Sequence, residues 1–509
     1  MKYSYKIQEN EFWWGGAVSD GSVLPFTNAG EYELNFLVNR TYNQVNPLFV
    51  SSHGRYLYID GKCIIHADGE YLTVSEAGRN VFFEEGFSSL KEAYLAAAKR
   101  FFVKEKKPVP EITYAAPQYC TWMEMLRNID QEKILAYAEG IVKRKMPPGV
   151  LILDDGWMEG YGEWSFRKKA FPDPKAMIET LHKQGFRVIL WICPFVDRTA
   201  AEFKMLEEKG ALVRTAEGKT AERVWWSGKS AVLDGTNPNS FGWLGERLDA
   251  LMRDYGVDGF KLDAGDAFYY ESDDITCHPT TPNGQSLLWA EFARRYEYAE
   301  LRACVGMGGA SVVQRLSDKR NDWNEKNGLG SLIANMIQSG LCGYMYCCPD
   351  MIGGGNESDV KGDRFVEDEE LVVRSCECAA MMPMMQFSYA IWKKNSFLSE
   401  IAQKFAKLHT SLAPYLKELA IESAENFEPM LRCMEYEFPH CGLERVKEQF
   451  MLGSRYLVAP VIKKGERKKK VILPEGSWLY VPENRVYGPG VTEVDAPIDV
   501  LPYFERVRT

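Results

Sequence analysis

The sequence predicts an α/β protein built on a (β/α)8 TIM barrel, with an N-terminal β-sandwich before it and a C-terminal β region behind. Three observations carry that reading. Between about residues 111 and 395, short apolar runs alternate with amphipathic stretches, in the strand-then-helix order of β/α units. Several of those runs end in acids followed by a sharp turn, which is how such barrels present functional groups at their C-terminal face. An open doubly wound sheet is the rival architecture, but no G-x-G-x-x-G turn follows an early strand.

The elements follow in order. A chain of 509 residues exceeds one compact core, and three regions are expected: 1–107, 111–424 and 425–509. The first holds short strand-like runs (32–38, 57–59, 63–65, 71–74) with glycine turns between them, then a helix over 88–102. Residues 104–110 are charged and broken by prolines, as in a linker. In the middle region, 150–155 is a buried strand ending in acids, 174–185 an amphipathic helix stopped by glycine, and 186–194 a strand ended by proline. Helices are expected over 241–255, 287–301, 329–339 and 397–421, with a last barrel strand at 384–389. After 426 the pattern returns to β.

Bulk composition narrows the function. With 61 basic and 71 acidic residues the chain is mildly acidic, which argues against nucleic acid or an anionic membrane as partner. The basic run at 463–470 reads as a solvated hairpin tip. No membrane-length apolar run is present and the first residues do not resemble a secretory leader, so a cytoplasmic protein is expected. Twelve cysteines without zinc spacing read as reduced core residues. The aromatic cluster Phe12-Trp-Trp14 reads as core packing, with a subunit contact in a homo-oligomer or a pocket rim as alternatives.

The chemistry-bearing pattern is a set of acids at strand ends. Asp154 and Asp155 end one run, Asp263 and Asp266 another, and Asp350 a third, while Asp318 lies in a polar loop after Arg315. Lys261 stands two residues before Asp263, a cation able to favour its ionised form. Read alone, Asp263 is as well explained as a helix cap, and Arg302 as a surface charge at a helix end. Tryptophans recur near these acids, among them Trp122 and Trp191. Carboxylates grip sugar hydroxyls and flat aromatic rings stack on sugar C–H faces, so the interleaving points to a carbohydrate site. Clustered aspartates also suit Mg²⁺ or Ca²⁺, but the D-x-D-x-D-G spacing is missing and only six histidines are present. No metal and no cofactor are expected.

The segment Lys261-Leu-Asp-Ala-Gly-Asp266 resembles the nucleophile motif of glycoside hydrolase family 31, and further motifs follow in that family's order. They are Leu153-Asp-Asp-Gly-Trp157, Leu190-Trp-Ile-Cys-Pro194, Pro349-Asp-Met-Ile-Gly-Gly354 and Gln449-Phe-Met-Leu-Gly453. The resemblance implies a retaining α-glycosidase with Asp263 as nucleophile and Asp318 as acid/base, their carboxyls roughly 5 to 5.5 Å apart. It implies Arg302, sixteen residues before Asp318, in the sugar subsite, with Asp154, Trp191 and Asp350 lining the same pocket. Trp122, Asp155, Lys261, Asp266 and Arg315 complete the expected set. Two departures stand out. Arg374 reaches Pro383 at the family spacing, but Ser388 occupies the position where family α-glucosidases carry a glucose-contacting histidine. The acid/base loop reads Ser317-Asp-Lys319 where many members have Gly-Asp-Asn or Gly-Asp-Gln.

Gln118-Tyr-Cys-Thr-Trp122, Met351-Ile-Gly-Gly-Gly355 and Met381-Met-Pro-Met-Met-Gln-Phe387 look most like the family's myogenesis-regulating glycosidase branch. That likeness implies α-galactoside hydrolysis. An α-glucosidase, an α-xylosidase, a transglycosidase and a silent carbohydrate-binding protein are the alternatives.

Overall fold

A computed structural model describes residues 1–105, 107–360 and 368–507, so Lys106 of the expected linker and the last two residues of the expected C-terminal region lie outside it. The N-terminal region forms two four-stranded antiparallel sheets. Strands of one sheet show the buried/exposed alternation of a half-buried sheet, as in Tyr71–Ser75, whereas Trp13–Ala17 and Val45–Ser51 of the other are buried almost throughout. Tyr5 and Phe83, one from each sheet, stack at 4.1 Å. Trp13 and Trp14 are buried here, as core residues. The helix Leu90–Phe101 closes the region, its first turn capped by Ser89, which accepts from the Glu92 amide.

Eight parallel strands make the barrel: β1 (Gln118–Cys120), β2 (Val150–Leu153), β3 (Arg187–Ile192), β4 (Gly259–Leu262), β5 (Tyr298–Leu301), β6 (Val313–Arg315), β7 (Cys347–Cys348) and β8 (Gln386–Phe387). They pair in the order β7-β6-β5-β4-β3-β2-β1-β8. An isolated parallel bridge between Met351 and Gln386 closes the ring. Strands β2 and β4 are buried throughout, as expected of a parallel sheet covered on both faces.

The main helices outside are α1 (Gln131–Lys143), α2 (Pro174–Lys183), α3 (Pro238–Tyr255), α4 (Pro282–Ala293), α5 (Leu329–Leu341), α6 (Glu369–Ala380), α7 (Ser396–Ser411) and α8 (Ala413–Asn426). Local sequence sets most of their starts. Asp130 and Asp173 accept from the amides of Lys133 and Ala176, and prolines stand in the first turns of α2, α3 and α4. Gly256, at φ +81°, stops α3 in the left-handed conformation. The stretch expected as one helix over 397–421 divides at Leu412 into α7 and α8.

One expectation fails informatively. The helix expected over 287–301 ends as α4 at Ala293, and Tyr298–Leu301 is strand β5. Between β5 and β6 no helix intervenes; the N-terminal region fills the gap. Val45 bridges Val305 in parallel, and its amide donates to the Cys304 carbonyl at 3.0 Å. Helix α5 is correspondingly buried along nearly its whole length. The N-terminal chain lies so close that a Cβ on Gly21 would stand 2.2 Å from the Ala334 carbonyl.

Beyond the barrel, a six-stranded sheet and a two-stranded ribbon form the C-terminal region. Arg374 of α6 anchors this region rather than any pocket. It pairs with Glu377 at 2.8 Å and donates to the carbonyls of Glu466, Ala496, Pro497 and Val500. The basic run begins as a turn at 463–465 and enters the strand Lys468–Leu473, but it is not the expected hairpin tip, because that strand pairs with Gly490–Asp495 and not with the preceding Tyr456–Val458. Lys464 and Arg467 reach back to Asp368 and Glu370 at the start of α6. Ten of the twelve cysteines are buried and none is paired. No helix among the described residues is long and apolar enough to cross a membrane.

Candidate active site

The C-terminal ends of β1 to β6 open onto one cavity of about 250 Å³. Nine of the sequence-selected residues line it: Trp122 after β1, Asp154 and Asp155 after β2, Trp191 within β3, Lys261 and Asp263 at β4, Arg302 after β5, and Arg315 and Asp318 at β6. Asp263 terminates β4 because the backbone then leaves the extended region. Ala264 sits at φ +56°, a left-handed conformation unusual for a residue with a side chain. Such local strain at a strand end is a mark of functional positions.

Asp263 is held from three sides. Its Oδ2 accepts from Trp191 Nε1 at 3.0 Å, and its Oδ1 accepts from Arg302 Nε at 2.7 Å and from the Ala264 amide at 2.8 Å. Burial opposes its charge, yet Arg302, Lys261 and Arg315 together hold the carboxyl well below the usual carboxylate range. Lys261 in turn donates to Asp154 Oδ2 at 2.6 Å, and that carboxylate keeps the ammonium charged against burial.

Asp318 stands in a different environment. Its side chain is 39% exposed, and Arg315 Nη1 donates to its Oδ1 at 3.0 Å. Arg315 is fully buried and also contacts Glu300 and Asp350. Gly355 allows the loop after β7 to lie against this node, since a Cβ there would come within 3.1 Å of both Asp318 Oδ1 and Asp350 Oδ1. The cavity thus offers one carboxylate locked as an anion and one open to solvent, which is what proton transfer paired with nucleophilic attack requires.

Asp155 closes another wall. Arg127 Nε donates to its Oδ2 at 2.8 Å, and Tyr161 O–H lies 3.0 to 3.1 Å from its two oxygens. Burial pushes this carboxyl up to about 6, with Arg127 opposing and the neighbouring charge of Asp154 assisting.

Two expected residues do not line the cavity. Asp266 lies behind Arg302, accepting from its Nη1 at 2.9 Å and from its Nη2. Asp350, with φ +78°, lies behind Arg315 and accepts from the Lys319 amide at 2.8 Å. Each is hydrogen-bonded to an arginine that lines the cavity. Ser388 also stays out of the lining; its Oγ accepts from the Met123 amide at 2.7 Å.

Sequence reasoning missed Tyr42, Ser317, Asn356 and Glu357 as site residues and had Trp226 only as one of the tryptophans recurring near the acids; all five line the cavity. Tyr42 comes from the polar stretch Asn39-Arg-Thr-Tyr-Asn43, where no periodicity marks a functional side chain. Its neighbours explain its placement. Gln44 Nε2 donates to the carbonyls of both Arg302 and Arg315 at 2.7 Å, and Asn43 Nδ2 donates to Ser317 Oγ at 2.9 Å. Among the described residues, no group of three metal-ligating side chains is placed to hold a metal ion.

The barrel and its covering sheets are those of a known enzyme family. Residues 107–419 match the glycosyl hydrolases family 31 TIM-barrel domain and residues 427–508 match that family's C-terminal domain. The chain belongs to glycosyl hydrolase family 31. Among relatives, it is 34% identical to the mouse myogenesis-regulating glycosidase over 412 residues, which is 79% of this chain and 57% of that protein. It is 25% identical to the sulfoquinovosidase of Escherichia coli K12, across 90% of this chain and 71% of the relative. A solved family 31 dextranase of Flavobacterium johnsoniae, complexed with glucose, superposes with a TM-score of 0.86 at 21% identity, covering 99% of this chain and 66% of that one. The chain spans little more than half the length of several of the curated relatives it matches.

Proposed function

We propose that this protein is a retaining exo-α-glycosidase that releases a terminal α-linked sugar by double displacement, with Asp263 as nucleophile and Asp318 as acid/base. The observation that carries the reading is the unlike pair of carboxylates in one cavity, Asp263 buried among three cations and Asp318 exposed beside one. In the first step an Asp263 oxygen bonds to the anomeric carbon as the glycosidic C–O bond breaks. Protonated Asp318 delivers its proton to the departing oxygen. In the second, Asp318 takes a proton from water, the water oxygen bonds to the anomeric carbon, and the bond to Asp263 breaks. Two inversions return an α product.

The terminal sugar is neutral in this reading. Among the described residues, the lining cations Lys261, Arg302 and Arg315 are each committed to carboxylates, which leaves none of them to neutralise a sulfonate or uronate. An α-galactoside is the first candidate, on what the motif resemblance at 118–122, 351–355 and 381–387 implies and on Ser388, whose hydroxyl serves the backbone where α-glucosidases have a histidine. The twelve unpaired cysteines support a reducing compartment such as the cytoplasm.

The test is hydrolysis of p-nitrophenyl α-galactoside, α-glucoside and α-xyloside, with product configuration followed by proton NMR. Release of α-galactose, absent in Asp263→Asn, is expected. Preference for glucoside or xyloside discards the galactoside and keeps the mechanism. A β product overturns double displacement, and glycosyl transfer in place of release marks a transglycosidase.

A further inference from the structure

Lys319 directly follows Asp318, yet its side chain turns away from the cavity and is buried. Its Nζ donates to Ser331 Oγ at 2.8 Å and to Asn335 Oδ1, both on α5. Neither partner is charged. Asp350, whose charge acts on this ammonium, is already occupied by Arg315 and by the amide of Lys319 itself. Burial lowers this ammonium's pKa to about 8, with Asp350 opposing. A buried cation without a carboxylate in contact is destabilising, and a methionine of similar length would fill the space without that penalty. Packing therefore does not account for a lysine here.

What the lysine holds is the segment bearing Asp318. Its carbonyl accepts from the amides of Gly355 and Asn356 at 3.1 and 3.3 Å, its amide donates to Asp350, and its ammonium ties the segment to α5. Asn335, the anchor on α5, donates onward to the carbonyls of Val18 and Ser19 in the N-terminal region. Among the described residues, Asp318 has two polar ties of its own: Arg315 to its carboxylate, and Asn327 to its carbonyl at 2.9 Å.

The geometry points to Lys319 as the positioning residue of the acid/base: its buried ammonium pins the Asp318 segment to α5 and fixes the direction from which the carboxyl meets the leaving oxygen. The inference rests on the reading of Asp318 as acid/base. A displaced acid slows only those substrates whose leaving group needs a proton. A general loss of structure slows all of them.

The experiment compares kcat/KM of the wild type, Lys319→Met, Lys319→Gln and Asp318→Ala over a series of α-glycosides, from alkyl to 2,4-dinitrophenyl leaving groups, with melting temperatures recorded alongside. Lys319→Met is expected to lower the alkyl glycoside rate by about tenfold or more while changing the dinitrophenyl rate less than about twofold. Lys319→Gln, which keeps a donor for Ser331 or Asn335, recovers part of the loss and stands in should the methionine variant not fold. Equal losses at both ends of the series, or no loss, overturn the positioning role. If Asp318→Ala itself leaves the leaving-group dependence unchanged, the acid/base reading falls and the positioning role with it, an outcome told apart by that variant alone.

Discussion

The two sides of the cavity are built by different means. On the β2 to β4 side, each lining residue is carried to the rim by a strand followed by its own helix: Asp154 and Asp155 by β2, Trp191 by β3, Asp263 by β4. Between β5 and β6 no helix intervenes, and the segments bearing Arg302, Arg315 and Ser317 are hydrogen-bonded from outside the barrel by Asn43, Gln44 and Val45. The first side is a product of local β/α architecture. The second is also hydrogen-bonded to the docked N-terminal region.

Substitutions on the two sides sharpen that contrast. The largest effect belongs to the first side: Asp263→Asn is expected to lower kcat by about 10⁴-fold or more while leaving the melting temperature near that of the wild type. Measurable turnover above contaminant levels would remove Asp263 from the nucleophile role. Next is Asp318→Ala, expected to cost about 10² to 10⁴-fold on poor leaving groups and much less on activated aryl glycosides.

Gln44→Ala addresses the docking side directly. It strips two buried carbonyls of their donor, so a stability loss of about 1 to 3 kcal/mol is expected, with kcat/KM falling as Arg302 and Arg315 loosen. Denaturant unfolding and steady-state kinetics measure the two together; a stability loss with unchanged kinetics would show that docking does not steady the arginines.

The last effect is a pH dependence, which leaves stability near neutral pH unchanged. Lys319 has a folded pKa lowered to about 8, below its unfolded value, so the unfolded chain binds more protons between those two values. The stability of the wild type relative to Lys319→Met should therefore rise as pH increases from 8 toward 10.5, by up to about 3 kcal/mol. It should stay flat below pH 8. A difference that falls with pH would contradict the direction of the shift.

Legibility in the sequence followed the same division. The run at 150–155 could be read because a buried parallel strand is continuously apolar and its end is marked by a change to polar residues, and the run at 259–263, which carries Lys261, because the glycine stop of α3 precedes it and acids with a glycine turn follow it. Strand β5 could not. Tyr-Ala-Glu-Leu follows helix α4 closely and carries Glu300, a charge set inside the barrel beside Arg315, so its pattern continues the helix without a visible break. Arg302 entered the expected site only through family resemblance, and Tyr42 did not enter it at all.

By itself, the sequence determined the barrel class, the identity of the acids at the strand ends and the family, because periodicity, caps and short motifs act over a few residues. Tertiary structure alone decided that Asp266 and Asp350 stand behind arginines instead of facing the cavity, that Arg374 anchors the C-terminal region, and that Tyr42 reaches the rim. Those outcomes depend on hydrogen bonds and charge pairs between residues tens to hundreds of positions apart. Their partners are chosen by packing, and no local pattern in the chain encodes them.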